Sequence, residues 1–163
     1  MNPNGPYPGR KLFIGMTISG SPAVAYLVTG RSPASRERKA SSLDNGIIIG
    51  PYGNQAYDPL RHYTCVKYDN LSGTIAVSNG IQTEAIFETY KLLFNTNSLS
   101  TKDFMEKILD GAQAEPDSLH TPRIAGVITK NSDNQLTYII GIKRYDMPAK
   151  TYRLEAAPGT LIG

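Results

Sequence analysis

The N-terminal half of the chain alternates between hydrophobic and polar positions with the period of two that is typical of β-strands. Runs rich in Val, Ile, Tyr and Thr are separated by Gly, Pro, Asn and Ser. The pattern predicts five strands, at residues 11–17, 23–29, 46–50, 62–68 and 73–78. The sequence SGSP at residues 19–22 separates the first two, which indicates a hairpin.

A polar segment at residues 31–42 (RSPASRERKASS) follows the second predicted strand, and its charge and Ser content indicate a loop. Residues 51–59 are predicted to form another loop. The first segment places four cations within nine residues: Arg31, Arg36, Arg38 and Lys39. Such a cluster either forms a rim that attracts an anion or belongs to a solvated surface loop, and the local pattern leaves both interpretations open.

The hydrophobic period changes near residue 83, where apolar positions recur every three to four residues, as on one face of an α-helix. A second helix is predicted over residues 101–112, capped by Ser100 or Thr101 and ended at Gly111. The residues predicted to face the core are Ala85, Ile86, Tyr90, Leu92 and Leu93 in the first helix, and Phe104, Met105, Ile108 and Leu109 in the second.

Strand-like alternation resumes after the helices and predicts strands at residues 123–129, 136–143 and 150–154, with a hairpin loop at residues 131–135. Two antiparallel meanders on either side of a helical pair are typical of the α+β class. Two mainly antiparallel sheets packed together, with helices outside, would bury the apolar faces. The chain is therefore predicted to be one α+β domain over residues 1–163, with residues 1–9 as a loose arm.

Composition narrows the function classes without selecting one. The 163 residues are 40% hydrophobic and 19% charged, as in a globular domain of ordinary size. The net charge of +3 suits a small anionic ligand and does not indicate nucleic acid, which usually needs cations clustered on one face. No apolar run is long enough to span a bilayer and no signal-peptide pattern opens the chain, so a cytoplasmic protein without a membrane partner is predicted.

The cysteine and histidine content argues against disulfides and metal sites. Cys65 is the single cysteine, which excludes an internal disulfide and a zinc site built from several cysteines. His62 and His120 are the only histidines, so no metal is predicted.

The sequence HTPRIAGVI at residues 120–128 places an arginine between a proline-stiffened turn and a β-branched strand. Pro122 fixes its own φ and disfavours helical backbone at Thr121, which gives Arg123 a defined direction. A guanidinium held this way suits a phosphate or carboxylate, although an exposed arginine at a strand edge would have the same sequence. Glu115 and Asp117 are candidates for a general acid or base if buried, and ordinary loop carboxylates if exposed.

Two further segments contain candidate site residues. Tyr63 and Cys65 share one face of their predicted strand, because alternate residues point the same way. No neighbour in sequence activates the Cys65 thiol, so a core position is the simpler interpretation. Asn79 and Gly80 lie where a predicted strand turns into a helix, and backbone N–H groups at such turns commonly bind anions or carbonyl oxygens.

Taken in order, the motifs RSPASR, YTCVK, VSNGxxTE and ExDxxxTPRIA resemble those of the archaeal-type inosine monophosphate (IMP) cyclohydrolase family. The resemblance extends from about residue 9 (GRKLFIG) to about residue 126, and VSNG and TPRIA are its most specific motifs. It implies an Ntn-hydrolase-like fold, a four-layer αββα sandwich of two mainly antiparallel sheets. The order of strands and helices read from the hydrophobic pattern agrees with that architecture.

The resemblance also implies a reaction: dehydrative ring closure of 5-formamidoimidazole-4-carboxamide ribonucleotide to IMP, with no metal or organic cofactor. The carboxamide nitrogen attacks the formyl carbon, and the site must accept its proton, stabilise oxygen charge and protonate the departing hydroxyl. Because both groups belong to one molecule, holding them in a near-attack geometry supplies much of the acceleration.

Carried over residue by residue, the resemblance implies catalytic roles for three side chains. Glu115 would transfer a proton, Tyr63 would donate a proton or hydrogen bond at the reacting oxygen, and Arg36 would contact phosphate or carboxamide. The implied substrate-binding residues are Arg31, Cys65, Asn79, Gly80, Thr121 and Arg123.

The chain departs from the family pattern at both ends. It begins Met1-Asn2-Pro3, without the Ser, Thr or Cys of an N-terminal nucleophile, so amide hydrolysis by that route is disfavoured. Family members are expected to continue beyond Gly163, which leaves two interpretations open: a compact variant, or a chain lacking a sheet edge or part of the pocket.

Two other function classes are compatible with the sequence. A non-catalytic purine-nucleotide-binding protein would keep the arginine contacts with an anion and lack turnover. A structural or interaction domain would spread the arginines over the surface without a pocket. In each case an exposed sheet edge would allow a homo-oligomer.

Overall fold

The computed structural model describes residues 9–94, 101–130 and 133–163. Residues 1–8 of the predicted arm, the candidate cap Ser100 and residues 131–132 of the predicted hairpin loop lie outside these ranges. The helices and strands of the described part are β1 (Arg10–Met16), β2 (Pro22–Val28), α1 (Pro33–Arg36), β3 (Arg38–Leu43), β4 (Gly46–Pro51), β5 (Tyr63–Asp69), β6 (Thr74–Ser78), α2 (Gln82–Phe94), α3 (Thr101–Ala112), β7 (Arg123–Lys130), β8 (Leu136–Lys143), β9 (Lys150–Leu154) and β10 (Thr160–Ile162).

The strands form two antiparallel sheets. Seven strands follow one another in the order β3-β4-β5-β6-β7-β8-β9, so that neighbours in the sheet are also successive strands in the sequence. The helices α2 and α3 form the connection between β6 and β7. The smaller sheet has the order β10-β1-β2, in which the predicted N-terminal hairpin is paired with a strand from the C-terminal end.

The central strands of the large sheet are buried on both faces, because each face packs against a different layer. On one face, Ala125 and Val127 belong to a core that includes the apolar sides of α2 and α3. On the other face, Ile128 packs in a second core with Leu12 and Ile14 of β1. Successive residues of β7 thus enter opposite cores, which explains why this strand has a continuous hydrophobic run.

The predicted class is confirmed: the fold is α+β, with two antiparallel sheets packed together. In the described residues the layers number three, with α2 and α3 outside the seven-stranded sheet and the three-stranded sheet on its other face. A second helical layer, the fourth of the αββα arrangement, is not formed by this part of the chain. The Ntn-hydrolase-like relationship stays a prediction.

The prediction of a loop at residues 31–42 is wrong in its second half. There β3 pairs with β4 along its whole length, from Arg38 opposite Pro51 to Leu43 opposite Gly46. β3 is an edge strand, and edge strands accommodate Lys and Ser because much of their surface meets solvent. The first half contains α1, a single turn in which Ser32 and Ser35 form a reciprocal capping box.

Smaller differences concern the helices and the C-terminal end. Leu92 is 66% exposed, and Phe87 is buried in the helical core instead. Leu92 follows the buried Tyr90 by two residues, which is roughly 200° around a helix and hence the opposite face. α3 continues through Gly111, and the left-handed residue that follows it is Gln113, with φ of 53°. The strand β10 was not predicted, because alternation cannot be recognised over its three residues.

The two sheets approach each other closely at Gly126 on β7. A Cβ atom there would lie 2.8 Å from Cγ2 of Ile14 and 3.0 Å from Cδ2 of Leu12. We expect Gly126→Val to lower the free energy of unfolding by about 1–3 kcal/mol, as overpacking of a core usually does. Urea denaturation measures this change. Gly50→Val on β4 is the matched control, because no atom lies within 4 Å of its added Cβ, and equal losses in both variants would contradict the close approach.

Candidate active site

An open cleft of about 600 Å³ lies where seven strands have their ends on the same side of the molecule. Because neighbouring strands are antiparallel, the beginnings of β1, β3, β5 and β7 meet the ends of β2, β6 and β8 there. The connections at these ends therefore converge from distant parts of the sequence. The lining of the cleft combines arginines and carboxylates with the apolar residues Leu119, Ile124 and Ile142.

The loop that precedes β7 brings Glu115 to this cleft. Asp117 accepts hydrogen bonds from the backbone N–H of Thr121 (2.8 Å) and from its hydroxyl (2.6 Å). The backbone N–H of Glu115 donates to the carbonyl of Thr121 at 2.9 Å, which closes the loop on itself. His120 adopts a left-handed φ of 48° within this turn. The loop is thus braced by Asp117, and the predicted pocket residue Thr121 lines the cleft with its hydroxyl already bonded.

Glu115 is a buried carboxylate between two arginines. Its side chain is 2% exposed, and its Oε1 accepts hydrogen bonds from Nη1 of Arg10 and from Nη1 of Arg123, the latter at 3.2 Å. Burial raises the pKa of Glu115, because desolvation disfavours the charged form, and the two guanidinium groups partly offset that rise. Carboxyl groups with perturbed pKa values are common where a side chain takes part in proton transfer.

Arg123 lies behind Glu115 and does not line the cleft. Its guanidinium is almost completely buried, and its Nε donates to the carbonyl of Gln113 at 3.3 Å. A Cβ at Gly80 would lie 2.3 Å from Nη1 of Arg123, so any larger residue would require the guanidinium to move from its present position. The structure therefore brings together the predicted residues Glu115, Arg123 and Gly80, with Gly80 acting through the space it leaves.

Tyr63 is linked to the same cluster through Arg10. The guanidinium carbon of Arg10 lies 5.9 Å from the centre of the Tyr63 ring, close enough for a cation–π interaction. The Tyr63 hydroxyl forms a 2.7 Å hydrogen bond with the hydroxyl of Tyr26. Burial raises the pKa of Tyr63, and the nearby Arg10 partly opposes this rise. Tyr63 and Glu115 thus contact the same guanidinium; Glu115 and Arg10 line the cleft, whereas Tyr63 is buried in the core next to Arg10 and outside the lining.

Three further arginines, Arg31, Arg38 and Arg61, line the cleft. Arg38 is held by bonds to the backbone carbonyls of Thr29 (2.9 Å) and Arg61 (3.4 Å). Nε of Arg61 donates to Asp58 at 2.7 Å. Arg31 and Arg38 of the cation-rich segment therefore line the cleft, whereas Arg36 and Lys39 lie outside its lining. Binding of an anion by this rim stays a prediction.

Two predicted site residues, Arg36 and Cys65, lie outside the cleft lining, and a third, Asn79, lines the cleft with a side chain that is already hydrogen-bonded. Arg36 is exposed and outside the cleft lining, where it donates to the carbonyls of Gly30 (2.9 Å) and Arg31 (3.3 Å). Cys65 belongs to the core between the sheets, and burial raises the pKa of its thiol to about 11. The Asn79 side chain bridges β6 and β7 through the carbonyl of Pro122 (2.8 Å) and the N–H of Ile124 (2.9 Å).

The sequence patterns did not single out Arg10, Tyr26, Arg38 and Arg61 as site residues. Arg10 is 105 positions from Glu115, and its place in GRKLFIG carries no local sign of a partner. Arg38 was visible only as one of four clustered cations. Leu27 on β2 is half-exposed, and because neighbouring residues of a strand point to opposite faces, Tyr26 points inward. This alternation was the one sign in the sequence that the Tyr26 phenol faces the core.

Neither metal ligands nor a membrane span stand out in the described part of the chain. Within residues 9–94, 101–130 and 133–163, no three His, Cys, Asp or Glu side chains are grouped so that they would hold a metal ion. None of the helices in those ranges is both long and apolar enough to cross a membrane.

Comparison with known proteins identifies the family. A family model described as IMP cyclohydrolase-like protein matches residues 7–163. The chain is 33% identical over 159 residues to the IMP cyclohydrolase of Methanocaldococcus jannaschii, with 96% of this chain and 72% of that protein covered. It is 34% identical over 153 residues to the IMP cyclohydrolase of Methanococcus maripaludis, with 92% and 70% covered. The chain belongs to the IMP cyclohydrolase-like family.

Proposed function

We propose that this chain catalyses the dehydrative ring closure of 5-formamidoimidazole-4-carboxamide ribonucleotide to IMP, with the cleft as its active site. The observation that carries the proposal is the buried Glu115 carboxylate, which shares Arg10 with the phenol of Tyr63. The names of the archaeal relatives support the same reaction. A cytoplasmic location, action as a single domain, a possible homo-oligomer and the absence of a nucleic-acid partner stay predictions.

The polarity of the cleft supports one orientation of the nucleotide. Arg31, Arg38 and Arg61 offer cationic donors for the phosphate, since guanidinium groups match phosphate oxygens well. Ile124 and Ile142 offer an apolar surface on the side where Glu115 lies, which suits a planar heterocycle. Binding both ends would hold the carboxamide nitrogen against the formyl carbon, and this positioning supplies much of the acceleration.

The reaction forms one C–N bond and releases the formyl oxygen as water. The carboxamide nitrogen loses one proton when it attacks, the formamido nitrogen loses the other when its double bond to the same carbon forms, and the departing oxygen gains both. Glu115, as a carboxylate, accepts a proton from the attacking nitrogen and returns it to oxygen. Arg10 stabilises the negative charge that develops on the former formyl oxygen, and Tyr63 donates the proton or hydrogen bond that helps this oxygen to leave. These steps require neither metal nor organic cofactor.

Arg38 replaces Arg36 as the proposed phosphate ligand, and the two neighbours on β3 provide a test. We expect Arg38→Ala to weaken IMP binding at least about 10-fold, because hydrogen bonds to charged groups are among the strongest in proteins. Lys39→Ala removes the same charge from an exposed position outside the cleft lining and should leave the affinity unchanged. Isothermal titration calorimetry measures both affinities, and equal weakening in the two variants would show a general charge effect instead.

The pH dependence of turnover tests the pairing of Arg10 with Glu115. Arg10 lowers the Glu115 pKa and thereby opposes the rise that burial causes. In Arg10→Met this opposition is lost, so the pKa rises further and a larger fraction of Glu115 is protonated at mildly acidic pH. We expect the acid limb of the kcat profile to move to higher pH in the variant. An acid limb that stays in place would mean that another group controls it.

The function itself is tested by following IMP formation in the ultraviolet after the purified protein is mixed with the formamido substrate. Turnover that saturates with substrate supports the proposal. Saturable binding of either nucleotide without turnover would contradict it and favour the non-catalytic nucleotide-binding protein. Absence of both would mean that the cleft does not recognise this substrate.

A further inference from the structure

A pair of tyrosines joins the two sheets beside the proposed site. Tyr26 belongs to β2 of the three-stranded sheet and Tyr63 to β5 of the seven-stranded sheet, and their hydroxyl oxygens are 2.7 Å apart. Both side chains face the core between the sheets. Neither tyrosine is in the cleft lining, but Tyr63 contacts Arg10, which is, so Tyr26 would act through Tyr63 and not on the substrate.

The direction of this hydrogen bond decides where the Tyr63 proton points. A phenol hydroxyl donates one hydrogen bond and also accepts. Within the described residues, Tyr26 is the hydrogen-bond partner found for the Tyr63 hydroxyl. If Tyr26 donates, the Tyr63 oxygen accepts and its own proton is free for another acceptor. If Tyr63 donates, its proton is bound to Tyr26 and is lost to the reaction.

The surroundings favour Tyr26 as the donor once Tyr63 has given up its proton, because a phenolate oxygen can only accept. Burial raises the pKa of both phenols, and the proximity of the two groups raises that of Tyr26 further. Arg10 lies over the Tyr63 ring and favours negative charge there. The hydrogen bond from Tyr26 also lowers the Tyr63 pKa, since it stabilises the phenolate oxygen. Tyr26 therefore keeps its proton when Tyr63 gives one up.

We propose that Tyr26 is a positioning residue for catalysis: its hydroxyl contacts that of Tyr63 across the sheet interface and donates to the Tyr63 oxygen as Tyr63 gives its proton to the reacting oxygen. This inference rests on the proposed function, because it assumes that Tyr63 transfers a proton or hydrogen bond there. It gives the small sheet a role in the chemistry besides its packing.

The kinetic test compares Tyr26→Phe, Tyr63→Phe and the double variant. We expect Tyr26→Phe to lower kcat about 10-fold with little change in KM, because one orienting hydrogen bond is lost and the ring packing is kept. In the Tyr63→Phe background the same substitution should have almost no further effect, since the pair acts as a unit. An unchanged kcat in Tyr26→Phe, or a full additional loss in the double variant, would overturn the proposal.

A spectroscopic test does not depend on turnover. In protein labelled with ¹³C at tyrosine Cζ, the Tyr63 resonance is identified by its absence in Tyr63→Phe. We expect it to move in Tyr26→Phe, and to begin titrating at higher pH, because the donor that stabilises the phenolate is gone. Tyr138→Phe is the control, since the buried Tyr138 hydroxyl has no hydrogen-bond partner in the described structure.

The two tests separate two failures. An inactive wild-type protein whose Tyr63 resonance still responds to Tyr26→Phe would refute the proposed function and leave the hydrogen bond established. An active protein in which Tyr26→Phe changes neither the Tyr63 resonance nor kcat would refute only the role of Tyr26.

Discussion

Replacing Glu115 with glutamine is expected to reduce turnover by about 10²-fold or more, while nucleotide binding is largely retained. Glutamine keeps the size of the side chain and an oxygen that accepts hydrogen bonds, but it cannot take up the proton of the attacking nitrogen. The ultraviolet assay gives kcat, and calorimetry with IMP gives the affinity. Wild-type turnover in Glu115→Gln would remove this residue from the mechanism.

The folding of Glu115→Gln has to be checked beside its activity. Glu115 accepts hydrogen bonds from Arg10 and Arg123, so its replacement leaves two neighbouring buried guanidinium groups without their shared carboxylate. Removing one member of a buried ion pair often costs about 3–5 kcal/mol. Thermal melting shows whether the variant is folded at the assay temperature. Glu155→Gln, at an exposed position outside the cleft lining, is the control for loss of a carboxylate.

Replacing Tyr63 with phenylalanine is the second change with a large expected effect, again about 10²-fold or more in turnover. Only the hydroxyl is lost, and with it both the proton that the reacting oxygen would receive and the hydrogen bond to Tyr26. The ring remains in the core between the sheets, under Arg10. The change should therefore appear in kcat rather than in KM.

Tyr138→Phe is a close match for this experiment. Tyr63 and Tyr138 are both 3% exposed and belong to the same core, but the Tyr138 hydroxyl has no hydrogen-bond partner among the described residues. Removing the Tyr138 hydroxyl should leave turnover unchanged, because no hydrogen bond is lost with it. If Tyr138→Phe loses as much activity as Tyr63→Phe, the losses reflect disturbed packing and the role of Tyr63 is contradicted.

The parts of the fold that could be predicted from the sequence are those buried on a regular face. The hydrophobic pattern predicted the central strands and both long helices, because burial follows a period of two residues in the strands and of 3.6 residues in the helices. β3 was missed since it lies at a sheet edge, where polar residues are tolerated and the period is lost. That error also hid the alternation that turns Arg38 towards the cleft and leaves Lys39 exposed.

The site was predictable where its residues share a motif and not where they meet only in space. Glu115 and Arg123 lie eight residues apart in one motif, and the structure joins them by a hydrogen bond; their roles in the site stay predictions. Arg10 and Tyr26 reach the cluster through the pairing and packing of the small sheet, which no local pattern encodes. Cys65 was assigned to the pocket by resemblance alone, whereas its strand context already favoured the core.

A crystal structure of the protein with IMP would test the active-site assignment most directly. We expect the purine ring to lie beside Ile124 and Ile142, with its newly closed edge within hydrogen-bond distance of Glu115 or Arg10. We also expect the phosphate to contact Arg38. IMP bound outside this cleft, or bound with its phosphate at Glu115 and its ring at Arg38, would contradict the assignment of the active site.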